Sequence, residues 1–203
     1  MRAVLGIGNP GVKYVNTKHN AGFIIIDKLV EKHKLKYQPS KSDYHFCMGN
    51  IDENDFIIVR PTTYVNNSGL AALDLIEKHN IEVDQLLVIV DDINIEIGQI
   101  RVRKSGGSGG HNGLESIIYH LQSEGFPRIR FGIGNHFDQG NQVNYVLSKF
   151  TNEELEKLKE NFDFAVELAE KFIEGGNKFM FDHFSKFSNK INKKSPPPEI
   201  EEN

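Results

Sequence analysis

The sequence predicts a single three-layer α/β domain, in which a twisted, mixed and largely parallel sheet is flanked by helices. Three observations lead to this prediction. The chain has 203 residues, the length of one ordinary globular domain. Short apolar runs typical of strands alternate with segments of helical periodicity. Leu86–Val90 is continuously apolar, as expected of a central strand that is covered on both sides.

The elements follow from local patterns along the chain. Ala3–Ile7 is a short apolar strand that runs into a glycine-rich turn. Thr151 and Glu154 have the spacing of a capping box, which marks the start of a long amphipathic helix. Further strands are predicted at Tyr44–Asn50, Phe56–Val59, Leu86–Val90, Ile100–Arg103 and Ile129–Ile133, and helices at Gly22–Leu35, Ser68–His79, Gly113–Leu121, Thr151–Glu174 and Phe179–Phe187.

The domain is predicted to cover residues 1–188, and the last stretch to be a tail. From Asn189 the chain becomes rich in lysine and asparagine and then in proline and glutamate. Such a segment buries too little apolar surface to fold, so residues 189–203 are predicted to be disordered.

Composition favours a soluble, cytoplasmic protein. The apolar runs are far shorter than the roughly 20 residues that span a bilayer, and the first residues lack the apolar stretch of a signal peptide. Cys47 is the only cysteine, which excludes an intramolecular disulfide and disfavours a cysteine-based zinc site. The histidines show no metal-binding spacing, so no metal is expected. No additional apolar stripe is evident, which favours a monomer.

Charge is unevenly distributed although the net charge is only −4. Between residues 101 and 130 the basic residues outnumber the acidic ones by five to two. A local basic surface of this kind can bind phosphate even on an acidic protein, although ordinary solvated charge explains the pattern equally well.

A glycine motif after the first strand suggests a dinucleotide site at first sight. Gly6–Gly11 matches G-x-G-x-x-G, and Asp27 lies about 20 residues further on. However, Val12–Asn20 has no apolar stripe for the helix that should face a pyrophosphate, and Asp27 lies inside a helical run rather than after a strand. The motif is therefore interpreted as a structural turn.

Polar side chains cluster where predicted strands end, as is usual for α/β active sites. His19 is the natural general base, and Asp91, after the most apolar strand, can hold one imidazole nitrogen and stabilise the imidazolium. Asn9, Asn66 and Asn112 offer neutral amides that suit a carbonyl or an oxyanion. Each residue also has a structural interpretation: His19 as a surface residue, and Asn66 and Asn112 as helix N-caps.

Taken together, the motifs resemble those of the bacterial-type peptidyl-tRNA hydrolase family. The stretches that carry the resemblance are Gly6–Gly11 with Tyr14 and Thr17–Gly22, Arg60–Asn66, Val90–Asp92, Gly109–Leu114, Arg128–Gly134 and Asn144–Phe150. Lys18 stands where the family usually has arginine, and Asn94–Ile97 replaces a typical Asp-Leu-Pro stretch, so the loop after Asp91 is expected to differ.

The resemblance implies hydrolysis of the ester between a peptide and the ribose of tRNA, without metal or organic cofactor. It implies that His19 activates water, that Asp91 stabilises the protonated His19, and that Asn9 discriminates N-blocked substrates. It places Tyr14, Tyr64, Asn66 and Asn112 at substrate-binding positions, and Arg103 and Arg130 at tRNA phosphates. The alternative is a non-catalytic RNA-binding module on the same fold, which would have no need of a base and its orienting carboxylate.

Overall fold

A seven-stranded mixed sheet forms the centre of the molecule. The computed structural model describes the backbone of residues 1–192 and the side chains of residues 1–187. The strands are β1 (Arg2–Gly6), β2 (Gln38–Pro39), β3 (Tyr44–Ile51), β4 (Asn54–Pro61), β5 (Leu86–Asp92), β6 (Ile100–Arg103) and β7 (Arg128–Gly132). Their spatial order is β2-β3-β4-β1-β5-β7-β6.

The four inner strands are parallel, and the outer strands are antiparallel to their neighbours. β1 pairs with β4 and β5, and β5 pairs with β7, all in parallel. β3 returns antiparallel to β4, and the edge strand β6 runs antiparallel to β7. Every residue of β5 is buried, and its apolar run Leu86–Val90 was predicted to be covered on both sides. The predicted mixed, largely parallel sheet is therefore confirmed.

Helices cover both faces of the sheet and complete the three layers. They are α1 (Ala21–Lys32), α2 (Ser68–His79), α3 (Asn112–Leu121), α4 (Gln142–Leu147), α5 (Asn152–Lys157) and α6 (Lys159–Asn192). α1 and α6 pack on one face in a core that includes Phe23 and Phe162. α2 and α3 pack on the other face, around Leu75 and Ile117.

The C-terminal helices differ from the prediction in two respects. The capping box at Thr151 is present, but the helix that it starts ends at Lys157. The buried side chain of Leu158 there packs against Gly98, and α6 begins one residue later. The predicted break before Phe179 falls at Gly175 and Gly176, where Gly176 adopts a positive φ of 68° within α6.

The predicted disordered tail lies largely outside the described residues. α6 is described to Asn192, and so includes the first residues of the segment 189–203. Residues 193–203 lie beyond the described part of the chain. In the helices that are described, none has the length and apolarity needed to cross a membrane.

Candidate active site

A cavity of about 560 Å³ opens at the carboxyl ends of the central parallel strands. This edge of an open α/β sheet is where ligand sites usually form. The cavity is lined by polar groups from three loops and by an apolar wall, namely Asn9, His19, Val65, Asn66, Asp91, Asp92, Ile93, Asn94, Ser108, Gly109, Gly110, His111, Asn112, Gln142, Val143, Val146 and Leu147.

The glycine at the start of α1 brings the histidine turn onto the ends of the strands. A Cβ atom at Gly22 would lie 2.4 Å from the carbonyl oxygen of Ile89 and 2.5 Å from that of Ile7. Only glycine permits this approach of helix to sheet. The 3₁₀ turn Lys18–Asn20 directly precedes α1 and therefore lies beside the ends of β1 and β5.

His19 and Asp91 form a hydrogen-bonded pair, as the sequence predicts. His19 Nδ1 donates to the two carboxylate oxygens of Asp91 at 2.9 and 3.0 Å. Burial opposes protonation of the His19 imidazole, but the Asp91 carboxylate outweighs it and raises the pKa of His19 above its usual value. Because Nδ1 is engaged by Asp91, the Nε2 atom of His19 is left to act on a ligand in the cavity.

His111 is a second histidine on the same carboxylate, and the sequence interpretation did not single it out. Gly113 N and Leu114 N donate to His111 Nδ1 at 3.1 and 3.4 Å, so His111 is the N-cap of α3. An Nδ1 that accepts hydrogen bonds carries no proton, which places the proton on Nε2. That Nε2–H donates to Asp91 Oδ1 at 3.0 Å.

The two imidazoles keep Asp91 ionised. Its side chain is only 2% exposed, and burial alone would raise its pKa. The charges and hydrogen bonds of His19 and His111 instead lower the pKa of Asp91 well below its usual range. The carboxylate is therefore a stable negative centre at every pH near neutrality.

The ligand atoms of His19, Asp91 and His111 lie within 4.8 Å of one another, as metal ligands do. The hydrogen bonds argue against a cation here. Coordination through His111 Nε2 would remove its proton while Nδ1 still accepts from the backbone, and the ring would have to be an imidazolate. The geometry fits a hydrogen-bonded network better than a metal centre.

Asn9 is held in one orientation at the floor of the cavity. Its Oδ1 accepts from the backbone N–H of Val65 at 3.0 Å, and its own backbone is bound by the side chain of Asn20. Because Oδ1 must be the acceptor, the Nδ2 group is left to donate toward the cavity that Asn9 lines. The side-chain amide of Asn9 therefore has a defined orientation, with its N–H donors toward the cavity.

Asn66 and Asn112 lie on the rim of the cavity, and neither caps a helix. The N-cap of α2 is Asn67, which makes no side-chain cap bond, and the N-cap of α3 is His111. The side chains of Asn66 and Asn112 are both exposed and make no hydrogen bond within the described part of the chain. The N-cap interpretation is therefore wrong for both, and their amides are available to a ligand.

Tyr14 and Tyr64 lie together outside the cavity. Their rings are arranged edge to face with centroids 6.1 Å apart, and Tyr64 is 53% exposed. Tyr64 immediately precedes Val65, which lines the cavity. The two rings therefore form an aromatic surface next to the cavity rather than part of its wall.

Helix α4, which the sequence interpretation missed, supplies the apolar wall through Val143, Val146 and Leu147. Their i, i+3, i+4 spacing is a helical signal, although the helix is only six residues long. The buried Lys18 ties this wall to the histidine turn. Its backbone N–H donates to Ser148 at 2.9 Å, and its ammonium lies 3.5 Å from Glu154.

The two arginines that were predicted to contact phosphate have different surroundings in the structure. Arg103 is exposed on the edge strand β6. Arg130 on β7 is partly buried, and its guanidinium is engaged with the carboxylate of Asp92. Arg130 thus has a protein partner at the edge of the cavity, whereas Arg103 has no hydrogen-bond or ion-pair partner among residues 1–187, whose side chains the structure describes.

The glycine motif Gly6–Gly11 does not have the geometry of a dinucleotide site, in line with its interpretation as a structural turn. Gly11 is followed by a 3₁₀ turn, Val12–Tyr14, and not by an α-helix. Asp27 lies in α1, where it accepts a hydrogen bond from Tyr37 and pairs with Arg60.

A comparison with known proteins identifies the family of the chain. The family model described as peptidyl-tRNA hydrolase matches residues 3–194. The chain belongs to this family.

Relatives named peptidyl-tRNA hydrolase match along nearly their whole length. The protein from Clostridium beijerinckii is 38% identical over 187 residues, which cover 92% of this chain and 97% of the relative. The protein from Hydrogenobaculum sp. is 42% identical over 174 residues, with 86% and 92% covered. The crystal structure of peptidyl-tRNA hydrolase from Acinetobacter baumannii superposes with a TM-score of 0.84 at 29% identity, covering 90% of this chain and 93% of that one.

Membership of the peptidyl-tRNA hydrolase family confirms two predictions made from the sequence. The resemblance to this family is confirmed by the family match and by the named relatives. The predicted enzyme class, a hydrolase of the carboxylic ester in peptidyl-tRNA, is confirmed with it.

Proposed function

We propose that the chain cleaves the ester between the C-terminal carbonyl of a peptide and the ribose of tRNA, with His19 as general base and Asp91 as its electrostatic partner. The observation that carries the proposal is the pair itself. The buried Asp91 holds Nδ1 of His19, which leaves Nε2 available in a cavity lined by amide donors. A base with an orienting carboxylate is what activation of water requires.

The proton steps follow from the tautomer that Asp91 selects. Nε2 of neutral His19 takes a proton from water as the water oxygen attacks the ester carbonyl. The imidazolium that forms is stabilised by Asp91, which remains ionised. His19 then returns the proton to the ribose oxygen as the carbon–oxygen bond breaks, giving a free carboxylic acid and a free tRNA hydroxyl.

The neutral amides of the site can donate hydrogen bonds to the substrate oxygen atoms, including the oxygen on which negative charge develops. We assign the Nδ2 group of Asn9 to a carbonyl of the substrate, which supports its predicted role in selecting N-blocked substrates. Asn66 and Asn112, exposed on the rim, are assigned to the peptide backbone and to the developing oxyanion. Amide N–H groups stabilise an oxyanion by hydrogen bonds and do not transfer a proton to it.

The surfaces around the cavity are assigned to the tRNA. The aromatic rings of the exposed Tyr64 and the partly buried Tyr14 can stack against bases, and the exposed Arg103 can bind a phosphate. The monomeric and cytoplasmic state expected from the sequence is part of this proposal. Light scattering of the purified chain, with and without tRNA, tests the monomer directly.

The decisive experiment is release of tRNA from N-acetyl-aminoacyl-tRNA, with unblocked aminoacyl-tRNA as the second substrate. We expect selective cleavage of the blocked substrate, and near-complete loss of turnover in His19→Ala with tRNA affinity kept within a few-fold. His33→Ala is the matched control, because His33 also pairs with a carboxylate, Glu170, at 2.9 Å, but outside the cavity.

The alternative, a non-catalytic RNA-binding module, makes a different prediction. Such a module would bind tRNA without cleaving the blocked ester, and His19→Ala would then change neither property. Equal losses of cleavage and affinity in His19→Ala would instead indicate that His19 is structural.

A further inference from the structure

Helix α4 forms the apolar wall of the cavity but has little hydrophobic anchoring of its own. It is six residues long, and none of the residues Gln142–Leu147 is buried. Isolated helices shorter than about 12 residues are marginally stable at best. In the structure α4 packs mainly against the 3₁₀ turn Lys18–Asn20, which carries His19. The position of the wall therefore depends on the contacts that fix α4 to this turn.

Backbone pairing provides the first of these contacts. Thr17 and Lys149 form an antiparallel bridge between the histidine turn and the segment that follows α4. Beside the bridge, the backbone N–H of Lys18 donates to the carbonyl oxygen of Ser148 at 2.9 Å. The C-terminal end of α4 is thus held beside the residue that precedes His19.

The ammonium group of Lys18 is enclosed at the same place. Lys18 is only 5% exposed, and its Nζ lies 3.4 Å from the carbonyl oxygen of Lys149 and 3.5 Å from the carboxylate of Glu154. The ring centroids of Phe150 and Tyr145 lie 5.0 and 5.4 Å from Nζ. A carboxylate, a carbonyl oxygen and two ring faces together compensate the charge for its loss of water.

The groups around the ammonium belong to different elements and so join them. Tyr145 lies in α4, and its hydroxyl donates to the carbonyl oxygen of Ile133 at 2.6 Å. Glu154 lies in α5, where its carboxylate also accepts from the backbone N–H of Thr151 at 2.7 Å and completes the capping box. The Lys18 side chain therefore connects the histidine turn, α4 and the start of α5.

We propose that Lys18 is a positioning residue, which holds the apolar wall against the histidine turn and thereby sets the preference of the cavity for an apolar residue at the C-terminus of the peptide. This inference rests on the proposed function. Lys18 is not among the described residues that line the cavity, so it acts on the substrate through α4.

The geometry of the reaction brings that peptide residue to the wall. Its ester carbonyl has to approach His19, and its side chain branches from the neighbouring carbon atom, inside the same cavity. There α4 supplies Val143, Val146 and Leu147. Burial of an apolar side chain against these residues stabilises the complex in proportion to the area buried, whereas glycine gains nothing from the wall.

The test compares N-acetyl-leucyl-tRNA with N-acetyl-glycyl-tRNA as substrates of Lys18→Met. This variant keeps an unbranched apolar side chain and removes the charge. We expect KM for the leucyl substrate to rise about 10-fold, as for other small changes in an apolar pocket. The KM for the glycyl substrate and both kcat values should stay within about 2-fold, because the base and its carboxylate are untouched. Lys18→Arg, which restores the charge, should restore the preference for leucine.

Glu154→Gln tests the same contact from its other side, and does so even where Lys18→Met does not fold. The Glu154 side chain is 32% exposed, and glutamine can still form the capping box with Thr151. We expect a smaller rise in KM for the leucyl substrate alone. The double variant should show a rise no larger than that of Lys18→Met, because both changes remove one interaction.

Lys28→Met is the matched control. Lys28 also forms an ion pair, with Asp163 at 2.9 Å, but it does so between α1 and α6 and outside the cavity. Its preference between the two substrates should equal that of the wild type. Thermal melting of all variants without RNA shows how far each change affects stability.

The outcomes separate this inference from the proposed function. Equal losses with both substrates in Lys18→Met would show a general structural role and overturn the inference, as would unchanged kinetics with both. An acidic limb that moves while the preference for leucine stays would also overturn it, since Lys18 would then act on the charge of His19. A wild type that cleaves neither substrate overturns the proposed function itself.

Discussion

Substitution of His111 separates two roles that one side chain combines. His111 accepts two backbone hydrogen bonds at the start of α3 and donates one to Asp91. An N-cap is worth about 1 kcal/mol, and a hydrogen bond to a buried carboxylate about 2 kcal/mol. We therefore expect His111→Ala to lower the free energy of unfolding by about 3 kcal/mol, or the melting temperature by about 9 °C.

His111→Asn is the matched variant, because asparagine is a good N-cap but is too short to keep the bond to Asp91. It should lose only about 2 kcal/mol. Urea denaturation at neutral pH measures both variants. Equal losses in the two would refute the capping role of His111.

The same variants should move the pH profile of hydrolysis. His19 must be neutral to act as base, so kcat/KM falls as the pH drops below the pKa of His19. Without the hydrogen bond from His111, the negative charge of Asp91 acts on His19 alone and therefore more strongly. This raises the pKa of His19 further. The acidic limb should move to higher pH in both variants. An unmoved limb would show that His111 does not act through Asp91.

Three further predictions follow. Asp91→Asn removes the charge that raises the pKa of His19, so the acidic limb should move to lower pH and the plateau rate should fall; an unchanged profile would exclude Asp91 from the mechanism. Asn9→Asp still accepts from Val65 but cannot donate to the substrate, and kcat/KM should fall about 100-fold in the tRNA-release assay, whereas near-normal activity would refute the donor role. Gly22→Ala forces a Cβ within 2.5 Å of two backbone carbonyl oxygens and should cost about 3 kcal/mol in urea denaturation, whereas Gly107→Ala, with no neighbour closer than 3.7 Å, should change stability by less than about 0.5 kcal/mol.

Elements with a clear apolar pattern were predictable from the sequence. Ser68–His79 is a helix with the predicted bounds, and Leu86–Val90 lies in the fully buried β5. In such segments the hydrophobic periodicity predicts the type of element, because burial on one side or on both sides determines where apolar residues recur. The continuous helix predicted from Thr151 was wrong, since the packing of Leu158 against Gly98 depends on a distant loop.

The candidate site was predictable only in part, for the same reason. His19 and Asp91 could be paired because the sequence places both near the carboxyl ends of predicted parallel strands, and such ends converge. His111 carried no distinguishing pattern, as its role depends on a tautomer set by the start of α3. The pairing of Arg130 with Asp92 likewise depends on strand order, which brings β7 beside β5.

The position of Asp91 on the central strand has a consequence for how the protein folds. Its two partners lie 72 residues before it and 20 residues after it, and β5 must pair with both β1 and β7 before all three meet. Non-local parallel pairing is slow, because the chain closes long loops before it gains contacts. Catalytic activity should therefore return only in the last kinetic phase of refolding, which makes ester cleavage a reporter of complete sheet assembly.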